Sequence, residues 1–168
     1  APASGALSAG QRASALRVAR LSAMLLQEQD RWEEAEALSR EVLEGLRRDL
    51  GARHPETLEA ARNLARVLRE RGLRGEAEAE ALFRATLEAC RGELGERHHT
   101  TLLCAAGLAA LLQERGALEE ALRLHRLALE GFRRELGGGH PSTLQAEEDV
   151  RELEGLRRRR RPGLRSHA

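Results

Sequence analysis

The chain has 168 residues, of which 41% are hydrophobic and only 2% aromatic, so any core has to be built mainly from Leu and Ala. Its 28 basic and 27 acidic groups leave a net charge of +1, which favours no particular class of charged partner. No apolar run reaches the roughly 18 residues of a membrane span, and two cysteines are too few for a disulfide framework. We therefore expect a cytoplasmic protein that does not enter a membrane.

The first segment, residues 1–11, begins with the sequence APASGALSAG. It lacks an initiator Met, and it lacks the charged-then-apolar order of a signal peptide. We predict a flexible linker over residues 1–11, and we expect the chain to be a piece of a longer protein.

One string recurs along the chain. DLGARHPETL returns as ELGERHHTTL and again as ELGGGHPSTL, with glycines at Gly51, Gly95 and Gly137. These glycines are separated by about 44 and 42 residues, a period typical of helical repeat arrays. Glycine is suited to the left-handed conformation that ends a helix, and Pro55 and Pro141 are suited to the first turn of the next one. The string therefore predicts a helix end followed at once by a helix start.

Each period is predicted to contain two helices, because its apolar residues return at helical spacing rather than in alternation. The first helices share Leu or a small residue at offsets 0, 3, 6, 7 and 10: Leu16, Ala19, Ser22, Ala23 and Leu26; Leu58, Ala61, Leu64, Ala65 and Leu68; and Leu102, Ala105, Leu108, Ala109 and Leu112. The second helices share the stripe Ala35, Leu38, Val42, Leu43 and Leu46, which returns as Ala121, Leu124, Ala128, Leu129 and Phe132. The predicted units span about 12–51, 54–95 and 98–137.

A capping helix is predicted over residues 141–156. Glu147 and Arg151 stand where the other units have Ala, so little apolar surface is left to cover a further unit. From Arg157 the sequence RRRRRPGLRSHA leaves the repeat, and its Pro–Gly pair ends any helix. We predict a disordered Arg-rich tail over residues 157–168. Nucleic-acid binding or an import signal is the alternative, and we rank it lower because no aromatic residue interleaves to stack on bases.

The two thiols and the single tryptophan have structural interpretations. Cys90 occupies the stripe position of Leu46 and Phe132, and Cys104 also lies on a helix, so both are predicted to be small buried hydrophobes. Trp32 directly follows the turn inside the first unit, and we predict that it fills space between helices.

The histidines and acidic residues form no pattern that indicates catalysis or metal binding. His54, His98 and His140 share one repeat position beside a helix start, where we expect them to cap the helix or to stack locally. No His pair at i, i+4, no HExxH motif and no phosphate-binding glycine loop occurs. We also find no set of nucleophile, base and acid. The sequence therefore predicts a protein that is not an enzyme and that uses no metal, cofactor or small-molecule substrate.

The segments NLARVLRERG…EAEAEALFRATLEACRGELGERHHTTL and GLAALLQERGALEEALRLHRLALEGFRRELGGGHPSTL carry a family resemblance. They resemble the roughly 42-residue tetratricopeptide (TPR) repeats of kinesin light chains and nephrocystin-type proteins. The resemblance implies an all-α, right-handed TPR-like α-solenoid over residues 12–156, with three helix pairs and a C-terminal capping helix. It also implies that the first helices of the units line a concave surface on which peptides dock.

That resemblance predicts a peptide-binding groove. The groove residues are those at the inward offsets of the first helices: Arg17, Arg20, Arg62, Asn63, Arg66, Arg69, Leu103, Ala106, Gly107 and Ala110. Asn63 resembles the groove asparagine that holds an extended peptide backbone in kinesin light chain repeats. The arginines are suited to pairing with acidic side chains, and the small residues leave room for a bulky apolar anchor. The alternative for the arginines is a solvated surface without a ligand.

We expect a protein-interaction scaffold that resembles the cargo-binding domain of kinesin light chains and that binds a protein or an extended peptide. The alternative is a regulatory array appended to a signalling ATPase or another effector enzyme. A second binding mode of the family, the two-carboxylate clamp of chaperone adaptors, does not fit. Met24, Leu103 and Gly107 stand where that clamp needs an amide and two basic groups.

Overall fold

The computed structural model describes residues 8–72 and 75–160, and within these ranges the chain forms seven α-helices and no strand. The helices are α1 (Ala9–Glu28), α2 (Trp32–Leu50), α3 (Pro55–Glu70), α4 (Glu76–Glu93), α5 (His99–Glu114), α6 (Leu118–Leu136) and α7 (Pro141–Arg160). The chain divides into two compact units, Ala1–Ala89 and Cys90–Ala168. None of the helices in the described ranges combines the length and the apolar character that a bilayer crossing requires.

The recurring string ends one helix and begins the next, as predicted. Gly51, Gly95 and Gly137 have φ angles of 92°, 94° and 83°, which a side chain would make costly. The residues that follow begin α3, α5 and α7. At the turn inside the first unit the positive φ belongs to Asp30 (57°), because Asp tolerates this conformation better than most other residues.

The three repeated histidines cap helices, which confirms the prediction. The Nδ1 atoms of His54, His98 and His140 accept hydrogen bonds from the backbone N–H two residues further on, at 3.3, 3.2 and 3.2 Å. Threonine side chains strengthen two of these turns. The Oγ1 atoms of Thr101 and Thr143 each donate to the carbonyl of the glycine that ended the preceding helix, at 2.8 Å.

In the first unit α2 packs against both α1 and α3. The predicted stripe of α3 is buried along its whole length: Leu58, Ala61, Leu64, Ala65 and Leu68. The stripe of α2 is buried except for Leu38, which is half-buried, as is Trp32. In α1 only Ala23 of the predicted stripe is fully buried, and its other members are half-buried. The core of this unit therefore lies mainly among α2, α3 and α4, since α4 buries Ala79, Phe83 and Leu87 as well.

In the second unit α6 packs against α5 and α7. The whole predicted stripe of α5 is buried, and so are Phe132, Cys90 and Cys104. The two thiols are therefore small core residues, as predicted. The predicted cap α7 buries Thr143, Ala146 and Leu153 and is otherwise mostly polar.

Glycines on the second helices allow close approach of two backbones. A Cβ atom on Gly131 of α6 would lie 2.3 Å from Leu102 Cδ2, and one on Gly45 of α2 would lie 2.5 Å from Leu16 Cδ2. The two glycines are equivalent positions, two repeats apart. At each of them a leucine of the paired first helix occupies the space of the missing side chain.

Both predicted terminal boundaries differ from the structure. α1 begins at Ala9, where Ser8 and Gln11 form a capping box, so residues 9–11 of the predicted linker are helical. α7 continues to Arg160 rather than ending at 156. Arg157 Nε lies 2.8 Å from Glu119 Oε1 on α6, and positive side chains stabilise the C-terminal turn of a helix. The rest of the predicted linker and tail, residues 1–7 and 161–168, lies outside the described residues.

An ion-pair network joins α2, α4 and the turn before α4 in the first unit. Arg40 donates to both carboxylate oxygens of Glu78 at 2.7 Å and to Glu36 at 2.9 Å. Arg71 also donates to Glu36 and lies 3.6 Å from Glu33. The hydrogen bond from Arg40 lowers the pKa of Glu78 below its ordinary value.

This pair is expected to make stability depend on pH. Because the pKa of Glu78 is lower in the folded chain, its contribution is present above the ordinary carboxyl range and is lost as the pH falls through the folded pKa. Glu78→Gln should lower the free energy of unfolding by roughly 0.2–1 kcal/mol at neutral pH, the range for exposed pairs. At an acidic pH below the folded pKa it should have little effect, since the carboxyl is then protonated in both states. Urea denaturation at both pH values tests this, with exposed Glu41→Gln as the control. An equal loss at both pH values would contradict it.

Candidate functional site

The predicted groove residues of the first unit come from α1 and α3, which lie side by side. Arg20 and Met24 of α1 share one crevice with Ala60 and Asn63 of α3. A direct contact also joins the two helices, since Arg20 Nη2 donates to Glu59 Oε1 at 2.8 Å. Arg20 and Asn63, which are distant in sequence, are therefore neighbours.

The arginines of α3 are engaged with polar neighbours rather than extended into solvent. Arg62 donates to Asn63 Oδ1 at 2.8 Å, and Arg66 donates to Gln27 Oε1 on α1. Arg69 pairs with the adjacent Glu70. Burial lowers the pKa of Arg66, and the positive charge of Arg62 lowers it further. This surface therefore holds several cations close together, partly out of water.

A cleft of about 300 Å³ lies beside this cluster, still within the first unit. We call it the first-unit cleft. Its residues come from α1, from the second half of α2 and from the start of α3: Ala13, Leu16, Arg17, Arg20, Val42, Leu46, Asp49, Leu50 and Glu56. The lining is thus mixed, with apolar side chains beside two arginines and two carboxylates. This cleft was not predictable from the sequence, because a gap between helices has no local signature.

The remaining groove residues lie in the second unit, on α5. Leu103, Ala106, Gly107 and Ala110 are all half-buried and recur at a spacing that puts them on one side of the helix. On α7 of the same unit, Gln145 donates to Asp149 at 3.0 Å, and His125 Nδ1 of α6 lies 3.6 Å from the same carboxylate. Three of the four residues on α5 are small, so this side of the helix offers space rather than charge.

Among the described residues, no group of three or more His, Cys, Asp and Glu side chains is arranged to hold a metal ion. The thiols and the capping histidines are accounted for by the core and by helix starts. What the described residues offer is therefore a surface for binding, made of arginines, one amide, small residues and an apolar cleft.

Consecutive helix pairs of matching length, ended by matching glycines and sharing one stripe pattern, define a helical-hairpin repeat protein of the all-α solenoid class. A sequence model described as the tetratricopeptide repeat matches residues 11–79 and 73–134, well over half of the chain. The chain belongs to the tetratricopeptide repeat family, whose arrays are protein-interaction scaffolds.

Solved structures agree with this membership. Nearly identical TPR-like repeats from a protein designated a kinesin light chain in Podosopora anserina match with a TM-score of 0.75 and 25% identity, over 83% of this chain and 65% of theirs. A single-substitution variant of those repeats matches at 24% identity with the same TM-score and coverage. BtubC (BKLC) from P. vanneervenii matches with a TM-score of 0.66 and 18% identity, over 91% of this chain and 68% of its own, and shares the fold.

The chain thus spans slightly less than two thirds of the first two of these structures. A sequence comparison with curated proteins finds no match. The repeats are of the kinesin light chain-like type, as the sequence analysis predicted.

Proposed function

We propose that this protein is a non-catalytic binding module of the cytoplasm that holds an extended peptide against the first helices of its repeats. The peptide carries acidic residues and one bulky apolar side chain. The observation that supports this most directly is the shared crevice of Arg20 and Asn63, whose lining residues Asn63 and Gln27 accept hydrogen bonds from Arg62 and Arg66 of α3. The likeness to kinesin light chain-like repeats supports the same class of partner.

Asn63 is proposed to bind the peptide backbone. An asparagine side chain has one acceptor and two donors. Its Oδ1 atom accepts from Arg62, which orients the amide so that its nitrogen can donate to a peptide carbonyl. A contact with the backbone holds a peptide of any sequence, and specificity then has to come from neighbouring groups.

The arginines are proposed to supply part of that specificity. Arg17 and Arg20 line the first-unit cleft, and Arg66 lies partly buried beside Arg62. A carboxylate that approaches them would relieve the repulsion between these cations, and hydrogen bonds to charged groups are stronger than neutral ones. We therefore expect acidic side chains in the ligand and weaker binding at high salt.

The bulky apolar side chain has two proposed positions, one in each unit. In the second unit, Ala106, Gly107 and Ala110 leave space along α5. In the first unit, Leu16, Val42 and Leu46 contribute an apolar side to the first-unit cleft. Replacing Ala106 or the exposed Leu50, which also lines the first-unit cleft, with Arg separates the two, because only the variant at the occupied position should lose the contribution of the anchor.

The binding proposal is tested with a fluorescein-labelled peptide that carries one Phe within a run of Glu and Ser. Asn63→Ala should weaken binding about three- to tenfold, the effect of one hydrogen bond. Arg66→Glu should weaken it by more than tenfold, because the charge is reversed beside the ligand's carboxylates. Fluorescence anisotropy measures both affinities.

The matched control is Arg48→Glu, which reverses an exposed charge on α2 away from the groove residues. It should leave the affinity within about twofold of wild type, as expected for a distant exposed charge. A peptide with Gln in place of every Glu should bind more weakly to wild type. Equal affinities for Asn63→Ala, Arg66→Glu and wild type would refute the assignment of the groove.

A further inference from the structure

Helix α1 has an apolar face that no other element in the described part of the chain covers. Val18, Leu21 and Leu25 are 63%, 61% and 57% exposed and follow one another at helical spacing. We call these three residues the α1 stripe. Ser14, Ala15 and Ser22 extend it with uncharged side chains. An apolar patch of this kind marks a place where something binds more often than it marks ordinary surface.

The repeat itself indicates what kind of group fits there. Val18 and Leu25 occupy offsets 2 and 9 of the first helix, and the other first helices have equivalent residues. These equivalents are Ala60 and Val67 in α3 and Cys104 and Leu111 in α5, with exposures of 7%, 0%, 0% and 0%. The same offsets are therefore buried in both later units and exposed in α1 alone among the described first helices.

The group that covers α3 is the preceding second helix, α2. The two helices pack against each other, and Ser39 and Val42 of α2 line one crevice together with Ala60. The covering face of α2 is thus made of small and apolar residues at helical spacing, with its charged residues on other sides. A helix with such a face is the physical complement of the surface that offsets 2 and 9 form.

We propose that the α1 stripe docks an amphipathic helix from a partner protein, with small and apolar residues spaced as in α2. Val18 and Leu25 lie at offsets that no groove residue occupies, whereas Leu21 shares the offset of Asn63 and borders the proposed groove. The stripe recognises a helix by apolar shape rather than an extended chain by charge. Because Val18, Leu21 and Leu25 are uncharged and only Arg17 and Glu28 flank them along the helix, the docking face of the partner should be mainly apolar. Binding should therefore depend little on salt.

The probe is a fluorescein-labelled peptide with the sequence of residues 32–50, which is α2 itself. Fluorescence anisotropy should show saturable binding to the full chain, weakened at least tenfold by Val18→Glu and by Leu25→Glu. The matched control is Leu144→Glu on α7, which alters another exposed leucine (52%) and should not change the affinity. The doubly substituted variant Val18→Ser, Leu25→Ser avoids added charge, and circular dichroism verifies that each variant is folded.

Several outcomes overturn the proposal. If Val18→Glu binds the probe as wild type does, the peptide has replaced the chain's own α2 rather than bound the stripe. If a scrambled peptide of equal composition binds equally well, the surface recognises no helix. If sedimentation shows a dimer that Leu25→Glu dissociates, a second copy of the chain is the occupant. Affinity for the acidic peptide should be unchanged in the uncharged variant Val18→Ser, Leu25→Ser, so failure of this proposal leaves the groove proposal intact.

Discussion

Replacing Gly131 with valine is expected to lower the free energy of unfolding by about 2–3 kcal/mol. A Cβ atom there would lie 2.3 and 2.7 Å from the two terminal carbons of Leu102, far inside van der Waals contact. Leu102 is buried on α5 and is surrounded by the core of the second unit, so it has no vacant space to enter. Either Leu102 leaves its rotamer or α5 and α6 separate, and both reduce packing.

The direction of this change in the free energy of unfolding distinguishes a glycine in close contact with another helix from one at an open position. Glycine inside a helix is unfavourable, so replacing it at an open position should be neutral or slightly stabilising. Gly155 on α7 is such a position, because a Cβ atom there meets nothing within 4 Å. Gly155→Val is therefore the matched control. Guanidinium denaturation followed by circular dichroism gives both values, and similar midpoints for the two variants would show that α5 and α6 do not need the glycine.

Phe132→Ala is expected to cost about 3–5 kcal/mol, the range for removing a buried aromatic ring. Phe132 is 2% exposed, and its ring lies 5.9 Å from that of His99, tilted by 56°. With three aromatic residues among 168, the chain has few other bulky groups to fill the resulting cavity. Denaturant unfolding at neutral pH measures the loss.

Phe132→Leu is the control for this second prediction. The equivalent position of the first unit is Leu46, which is also buried, so the repeat accommodates leucine there. We expect the leucine variant to lose less than about 1.5 kcal/mol, because volume-conserving exchanges between apolar residues are tolerated best. If both variants lose the same amount, the ring's contact with His99 rather than its volume accounts for the stability of this position.

Local features were predictable from the sequence because their causes are local. The glycines that end helices, the prolines that begin them and the capping histidines each act within four residues of their own position. The Leu–Ala stripes were predictable for a similar reason, since a helix with one apolar side has to bury that side. The agreement is best for α3 and α5, where every predicted stripe residue is buried.

Prediction was weakest where the outcome depends on neighbouring helices. The stripe rule gave α1 the same pattern as α3 and α5, yet α1 buries only Ala23 of it and exposes Val18 and Leu25. The cap was also predicted to end at residue 156, whereas Arg157 contacts Glu119 and α7 continues to Arg160. In the first case the burial of a residue, and in the second its helical conformation, depends on whether another helix lies against it. The periodicity of the sequence does not reveal this.

In the candidate site, too, some features were predictable from the sequence and others were not. The family resemblance placed the first helices on one surface, and the repeat offsets within them, which follow from helix geometry, selected Arg20, Asn63 and Arg66. The sequence did not indicate that Arg20 pairs with Glu59, that Arg66 reaches Gln27, or that a cleft opens between α1 and α2. These features depend on the distance between helices, and side chains from different elements set that distance.

By itself, the sequence determined the number of helices in the described residues, their order, the helix ends at the recurring string and the side that α3 and α5 bury, because hydrogen bonding and capping within a helix act over a few residues. The tertiary structure alone decided which arginines are engaged, where the backbones approach at Gly45 and Gly131, and which apolar face of α1 is left uncovered. Those outcomes arise from contacts between residues 29 to 39 positions apart in the first unit and 14 to 38 apart in the second. Whether two helix surfaces fit each other is decided only when both are folded and their side chains are in place.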